Sequence, residues 1–157
     1  MDYFVLEQID HVSINSIKVG ETKNSVLYKS NEISKLLKFD YIHKGSLVSE
    51  RVKQLFESYL PHNRWVMNGY VDTENGDTLV FWKIGLFECI PLQGSVFRND
   101  GIVKMISLSD DSLPVVFKVR SPRGVISDIV HISVAESLLR RKYLGLKLTR
   151  LQMESVR

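Results

Sequence analysis

With 157 residues, a net charge of +3 and 44% hydrophobic residues, the chain has the composition of an ordinary soluble globular protein, long enough for one domain with a real core. It has no apolar run near the roughly 20 residues that a membrane helix needs, and its start, MDYFVLEQID, lacks the basic and apolar regions of a signal peptide; a cytoplasmic protein with no membrane partner is expected. Cys89 is the one cysteine, which excludes an internal disulfide and a zinc site built on several thiolates.

Tyr3–Gln8 is a short apolar segment that reads as a first strand. Residues 9–22 mix polar and apolar side chains without a clear period, and Ser25–Tyr28 is a second strand candidate. Ile33, Leu36, Leu37 and Phe39 suggest a short helix within 30–41, followed by a polar turn at 43–46. The run SERVKQLFESYLPHNRWVMNGY (49–70) then gives a helix and a strand. Ser49 is the cap, Val52, Leu55, Phe56, Tyr59 and Leu60 form one apolar stripe, and Pro61 stops the helix.

DTENGD (72–77) is a hairpin signal, with Asn75–Gly76 where a tight primed turn favours them; it joins 65–71 to a long strand over 78–90 that bends at Gly85. A further hairpin is expected over 95–108, a turn at Asp110–Asp111, and strands over 113–119 and 125–132. The run SVAESLLRRKYLGLKLTRL (133–151) repeats the earlier plan. Ser133 with Glu136 fits a capping box, and Ala135, Leu138, Leu139 and Tyr143 form a stripe. Arg140–Lys142 suit the negative helix end, Gly145 ends the helix, and 146–149 alternate as a strand. The expected fold is a single strand-rich α+β domain, a mostly antiparallel sheet with two or three helices. It would contain two similar strand–helix–strand corners, whose repetition could mean related halves on one sheet or simply a common motif.

The charge is uneven. Residues 1–71 carry nine Lys or Arg and eight Asp or Glu; residues 72–112 carry three and seven; residues 113–157 carry nine and three. The basic end, with Lys118, Arg120, Arg123, Arg140, Arg141, Lys142 and the ring of Tyr143, could contact nucleic acid. A charge of +3 is modest for that role, and Arg140–Lys142 also complement a helix end, so nucleic acid is the weaker expectation.

No chemistry-bearing motif stands out. His11, His43, His62 and His131 lie in unrelated settings, with no HExxH and no second ligand at helical spacing. Cys89 has no histidine beside it and reads as an inert buried thiol. Gly94–Ser95 does not supply a nucleophile elbow, and no glycine-rich phosphate loop is present. The expectation is a protein that is not an enzyme and that uses no cofactor and no metal. Trp65, Tyr70 and Trp82 flank the acidic hairpin, and aromatic residues inside a charged rim are typical anchors for protein partners, although equally common in cores. With Asp72, Glu74, Asp77, Asp110 and Asp111 they form the candidate partner-contact set.

The segments LVSERVKQLFESYLPHNRWVMNGYV, VFWKIGLFECIPLQGSVF, VVFKV and HISVAESLLRRKYLGLKLTRL resemble a family of small bacterial immunity proteins of the polymorphic-toxin and type VI secretion repertoire, immunity family eleven. The resemblance spans 44–151 and leaves 1–43 outside it. It rests on Ser49, Glu50, Cys89, Ile90, Ser95, Ser133, Gly145 and Leu146, and it departs at Pro91 and at Val134–Ala135. It implies no catalytic residues and one cognate effector toxin, silenced by covering its active site or by trapping an inactive shape. A basic toxin would suit the acidic segment; an acidic toxin would suit the region from Lys118 to Lys142. An exposed strand edge offers a route to a homodimer, though nothing in the sequence requires one.

Overall fold

The computed structural model describes residues 2–108 and 112–155. In chain order the elements are β1 (Tyr3–Gln8), β2 (Ile17–Glu21), β3 (Ser25–Ser30), a 3-10 helix (Ile33–Leu36), β4 (Tyr41–Ile42), β5 (Leu47–Val48), α1 (Glu50–Tyr59), β6 (Trp65–Asp72), β7 (Thr78–Ile84), β8 (Glu88–Cys89), β9 (Val96–Phe97), β10 (Val103–Leu108), β11 (Val116–Arg120), β12 (Ile126–His131), α2 (Ile132–Arg140) and β13 (Leu146–Ser155). The fold is mixed α+β and mostly antiparallel. It has two sheets, where one was expected, and the chain clusters into two compact units.

One unit comprises residues 1–7, 86–141 and 147–157 and holds a seven-stranded sheet, β8-β11-β12-β1-β13-β10-β9. Cys89 pairs with Val119 on β11, and Leu92 donates its amide to the Ser107 carbonyl on β10 at 3.0 Å. In a flat sheet β8 and β10 would lie about 24 Å apart, five strand spacings, yet three residues reach only about 10 Å. The sheet therefore curls towards a barrel. Tyr3, Val5, Ile106, Phe117, Val119, Ile129 and Leu151 fill its core.

Helix α2 follows β12 without a linker. Its cap is His131: the Ser133 amide donates to the His131 Nδ1 at 3.1 Å. The expected Ser133 cap is therefore displaced, because β12 stops at His131 and the helix starts at Ile132, two residues earlier than a Ser133 cap would place it. Val134, Ala135 and Leu138 are its buried residues, while Leu139 is exposed and Tyr143 lies beyond the helix end.

The other unit comprises residues 8–85 and 142–146 and holds a six-stranded sheet, β2-β3-β6-β7-β5-β4. Here α1 matches expectation: the Ser49 hydroxyl accepts from the Val52 amide, and Val52, Leu55 and Phe56 are buried. Each of those side chains contributes about 1.5–3 kcal/mol. The helix expected within 30–41 is only the 3-10 turn, and the aperiodic stretch 9–22 contains β2. The long strand expected over 78–90 is instead two strands in two sheets, divided after Ile84, where the Gly85 amide turns to the Arg64 carbonyl at 2.8 Å.

The two strand–helix–strand segments fall in different sheets. In both, a third strand lies between the pair: β7 between β5 and β6, and β1 between β12 and β13.

Two buried carboxylates brace the units. Asp40 accepts from Ser49 Oγ at 2.6 Å, Arg51 Nη2 at 2.6 Å and the Leu144 amide at 2.6 Å. Burial alone would push its carboxyl up, but Arg51, Ser49 and the Leu144 amide together hold it below its ordinary value. In the barrel-like unit Glu7 takes Arg98 Nη2 at 2.7 Å and the Thr149 hydroxyl, and Arg98 also grips Asp100 at 2.6 Å. Burial opposes the Glu7 charge, and the bonds from Arg98 and Thr149 outweigh it, so this carboxyl too is held low.

Candidate functional site: the open face of the six-stranded sheet

The β6–β7 hairpin pairs Trp65 with Ile84, Met67 with Trp82, Gly69 with Val80 and Val71 with Thr78. Cross-strand partners share a face, and residues two apart stay on it. Trp65, Met67, Gly69, Val80 and Trp82 thus lie on one side of the sheet. The parallel pairing of β3 with β6 adds Leu27 beside Gly69 and Lys29 beside Val71, and β2 adds Ile17 opposite Lys29. The Leu27 Cδ1 lies 3.0 Å from where a Gly69 Cβ would stand, so the glycine lets the leucine lie across the sheet.

Helix α1 contacts the β5 and β7 end of the sheet. Lys53 sits 5.5 Å from the Trp65 ring centroid and 4.6 Å from that of Trp82, and also pairs with Glu57. The Trp82 indole donates to Glu50 Oε2 at 2.6 Å. These charged contacts, worth about 0.5–2 kcal/mol for a cation over an aromatic ring, fix both tryptophans in half-buried positions. At the β2 and β3 end Ile17 is 71% exposed, Val19 45% and Leu27 39%. All five residues of β2 are exposed, and β2 is an edge strand. Exposed apolar side chains on an unpaired edge are a liability unless something docks there.

The expected contact residues do not form one patch. Trp65 and Trp82 lie on the face just described. Tyr70 lies on the opposite face and is buried, stacked on Tyr28 with centroids 5.1 Å apart and edge-on to Phe81. It belongs to the core, and its phenol is pushed up to about 12 by burial first and by Tyr28 second. Asp72, Glu74 and Asp77 form the hairpin tip. The loop is longer than a two-residue turn: the Asp72 amide donates to the Asp77 carbonyl at 2.8 Å, and Asp72 Oδ1 accepts from the amides of Glu74 at 2.8 Å and Asn75 at 3.2 Å. The Asp72 side chain thus satisfies the turn's own backbone, while Glu74 and Asp77 face solvent. Asp110 and Asp111 lie outside the described residues.

The basic residues of the last third are partly engaged at home. Arg120 pairs with Glu88 at 3.2 Å, Arg123 donates to the Asn99 carbonyl, and Arg141 to the Ser137 carbonyl at 3.1 Å. Among the described residues no three His, Cys, Asp or Glu side chains converge to hold a metal ion, and no helix is long and apolar enough to cross a membrane. Cys89 is buried in the core of the barrel-like unit.

Sequence reasoning missed Ile17, Val19 and Leu27. The alternation of Ile17 and Val19 around Lys18 was a signal, but too short to separate from its polar surroundings. The chain matches no protein-family model and no curated protein sequence.

Proposed function

We propose that this chain is a non-enzymatic immunity protein that binds and neutralises a cognate bacterial toxin, docking it on the open face of the six-stranded sheet. The observation that carries this reading is the row from exposed Ile17 and Leu27 to half-buried Trp82 on one side of the sheet, beside an edge strand with unpaired backbone groups. A partner strand can add to β2 through main-chain hydrogen bonds while its side chains cover Ile17 and Leu27. The acidic tip, Glu74 and Asp77, stands at the rim and would steer a basic toxin rather than supply most of the affinity. Bound there, the protein would cover the toxin's active site or hold it in an inactive shape.

The test is co-purification with the product of the neighbouring open reading frame, followed by calorimetry on Ile17→Asp/Leu27→Asp. Both side chains are exposed, so the variant should fold. Anchor residues cost about 2 kcal/mol or more when lost, so affinity should drop about 30-fold or further. Wild-type affinity in the double variant would remove this face from consideration. No complex with the neighbour, but salt-sensitive binding to DNA, would favour a nucleic-acid module instead.

A further inference from the structure

On the opposite face of the same sheet lies a cavity of about 440 Å³, within the range of small-molecule sites. Its walls come from the 11–16 segment, the turn at Lys44–Gly45, and the inward side chains of β3, β5, β6 and β7. Leu36, Ile42 and Leu47 make it apolar on one side, and the stacked rings of Tyr28 and Tyr70 give it a flat aromatic wall. Lys44, Lys83 and His11 line it, and no Asp or Glu does. Neither Lys44 nor Lys83 makes an ion pair among the described residues, although eight other pairs are formed. Two unneutralised ammonium groups on one carboxylate-free pocket make it a site for negative charge.

The polar groups inside are placed to read a ligand. Asn68 is 6% exposed, and its Nδ2 donates only to the neighbouring Val66 carbonyl at 3.3 Å. No described donor reaches its Oδ1, which leaves an acceptor within the cavity. The Tyr70 phenol, pushed up to about 12, keeps its proton at neutral pH and remains a donor.

We propose that this cavity binds a small organic anion with a flat ring: the ring against Tyr28 and Tyr70, its polar edge on Asn68, and its carboxylate or phosphate between Lys44 and Lys83. This goes beyond the docking function and needs no protein partner. A ligand here would bridge the 11–16 segment, the 44–45 turn and the sheet, and so would stabilise this unit by binding only its folded form.

The experiment is calorimetric titration of the full chain with 4-hydroxybenzoate and with adenosine monophosphate. The neutral counterparts are 4-hydroxybenzyl alcohol and adenosine. Saturable binding of either anion, about tenfold or more tighter than its neutral counterpart, is expected, since a charge-assisted contact carries at least that factor. Preference for the benzoate marks a carboxylate ligand and preference for the nucleotide a phosphate ligand. Lys44→Gln/Lys83→Gln changes only exposed side chains, so its melting curve should match the wild type while anion affinity falls about tenfold or more. No saturable binding of either anion at millimolar concentration overturns the proposal. So does equal binding of the neutral counterparts, or undiminished binding by the double variant. None of these outcomes bears on the open face, where toxin binding is tested separately.

Discussion

Replacing Asp40 with alanine should be among the most damaging single changes to the unit that carries the open face. The carboxylate is 7% exposed and ties the start of α1, through its cap Ser49 and its first-turn Arg51, to the distant 142–146 segment through Leu144. Its removal strands the Ser49 hydroxyl and the Leu144 amide, each losing a bond to a charge worth about 1.5–3 kcal/mol. Arg51 is 58% exposed and can turn to water, so its share is at most about 1 kcal/mol. The sum is about 3–7 kcal/mol. With a urea slope of about 2 kcal/mol per molar, the midpoint should fall by about 1.5–3.5 M. Hydrogen exchange at the Leu144 amide should accelerate in step.

The pH dependence gives a second reading of the same site. The folded carboxyl lies below its ordinary 3.8, so its stabilisation is complete above that value and is lost as pH falls through the folded value. Asp40→Asn should flatten the stability curve below about pH 4. A midpoint for Asp40→Ala within about 0.5 kcal/mol of wild type, with Leu144 exchange unchanged, would refute the assignment of this carboxylate as a brace.

Other substitutions test other parts of the structure. Arg98→Met leaves Glu7 buried without its main partner and should cost about 3–5 kcal/mol at pH 7. The pH slope should also invert: wild type gains stability above the ordinary 4.5 of Glu7, whereas in the variant burial raises that carboxyl and stability is lost as pH rises, which melting at pH 4 and 7 will show. Gly145→Ala places a Cβ 2.4 Å from Phe39 Cδ1 and 2.9 Å from the Lys38 carbonyl at a φ of 70°; a loss of about 2 kcal/mol or more is expected in urea unfolding. His131→Ala should cost about 1 kcal/mol by loss of the α2 cap, and His131→Asn should restore most of it, as read from thermal midpoints.

Local signals succeeded where the physics is local. The α1 cap needs only Ser49 and an amide three residues on, and the hairpin site needs only the turn residues between 72 and 77. They failed at α2, where the equally plausible Ser133 cap lost to His131 because the pairing of β12 with β1 and β11 decides how far the strand runs. Gly145 does adopt the left-handed conformation expected of it, but five residues past the helix end, and there the approach of Phe39 also leaves no room for a Cβ.

The candidate site shows the same division. Alternation along 65–72 already sorts Trp65 to one face and Tyr70 to the other, because side chains alternate along any strand, while the register of β7 against β6 puts Trp82 with Trp65. Which face is covered does not follow from alternation. The 3-10 turn and its neighbours close over Tyr70, and α1 shields one end of the tryptophan face while β2 and β3 stay bare. The sequence by itself determined the composition class, the strand-rich character, α1 and the position of the acidic tip. The tertiary structure alone decided the two sheets, the edge position of β2, the split at Gly85 and the cavity between Lys44 and Lys83. All of these depend on pairings between residues distant in the chain, whose closing cost and reward no local window contains.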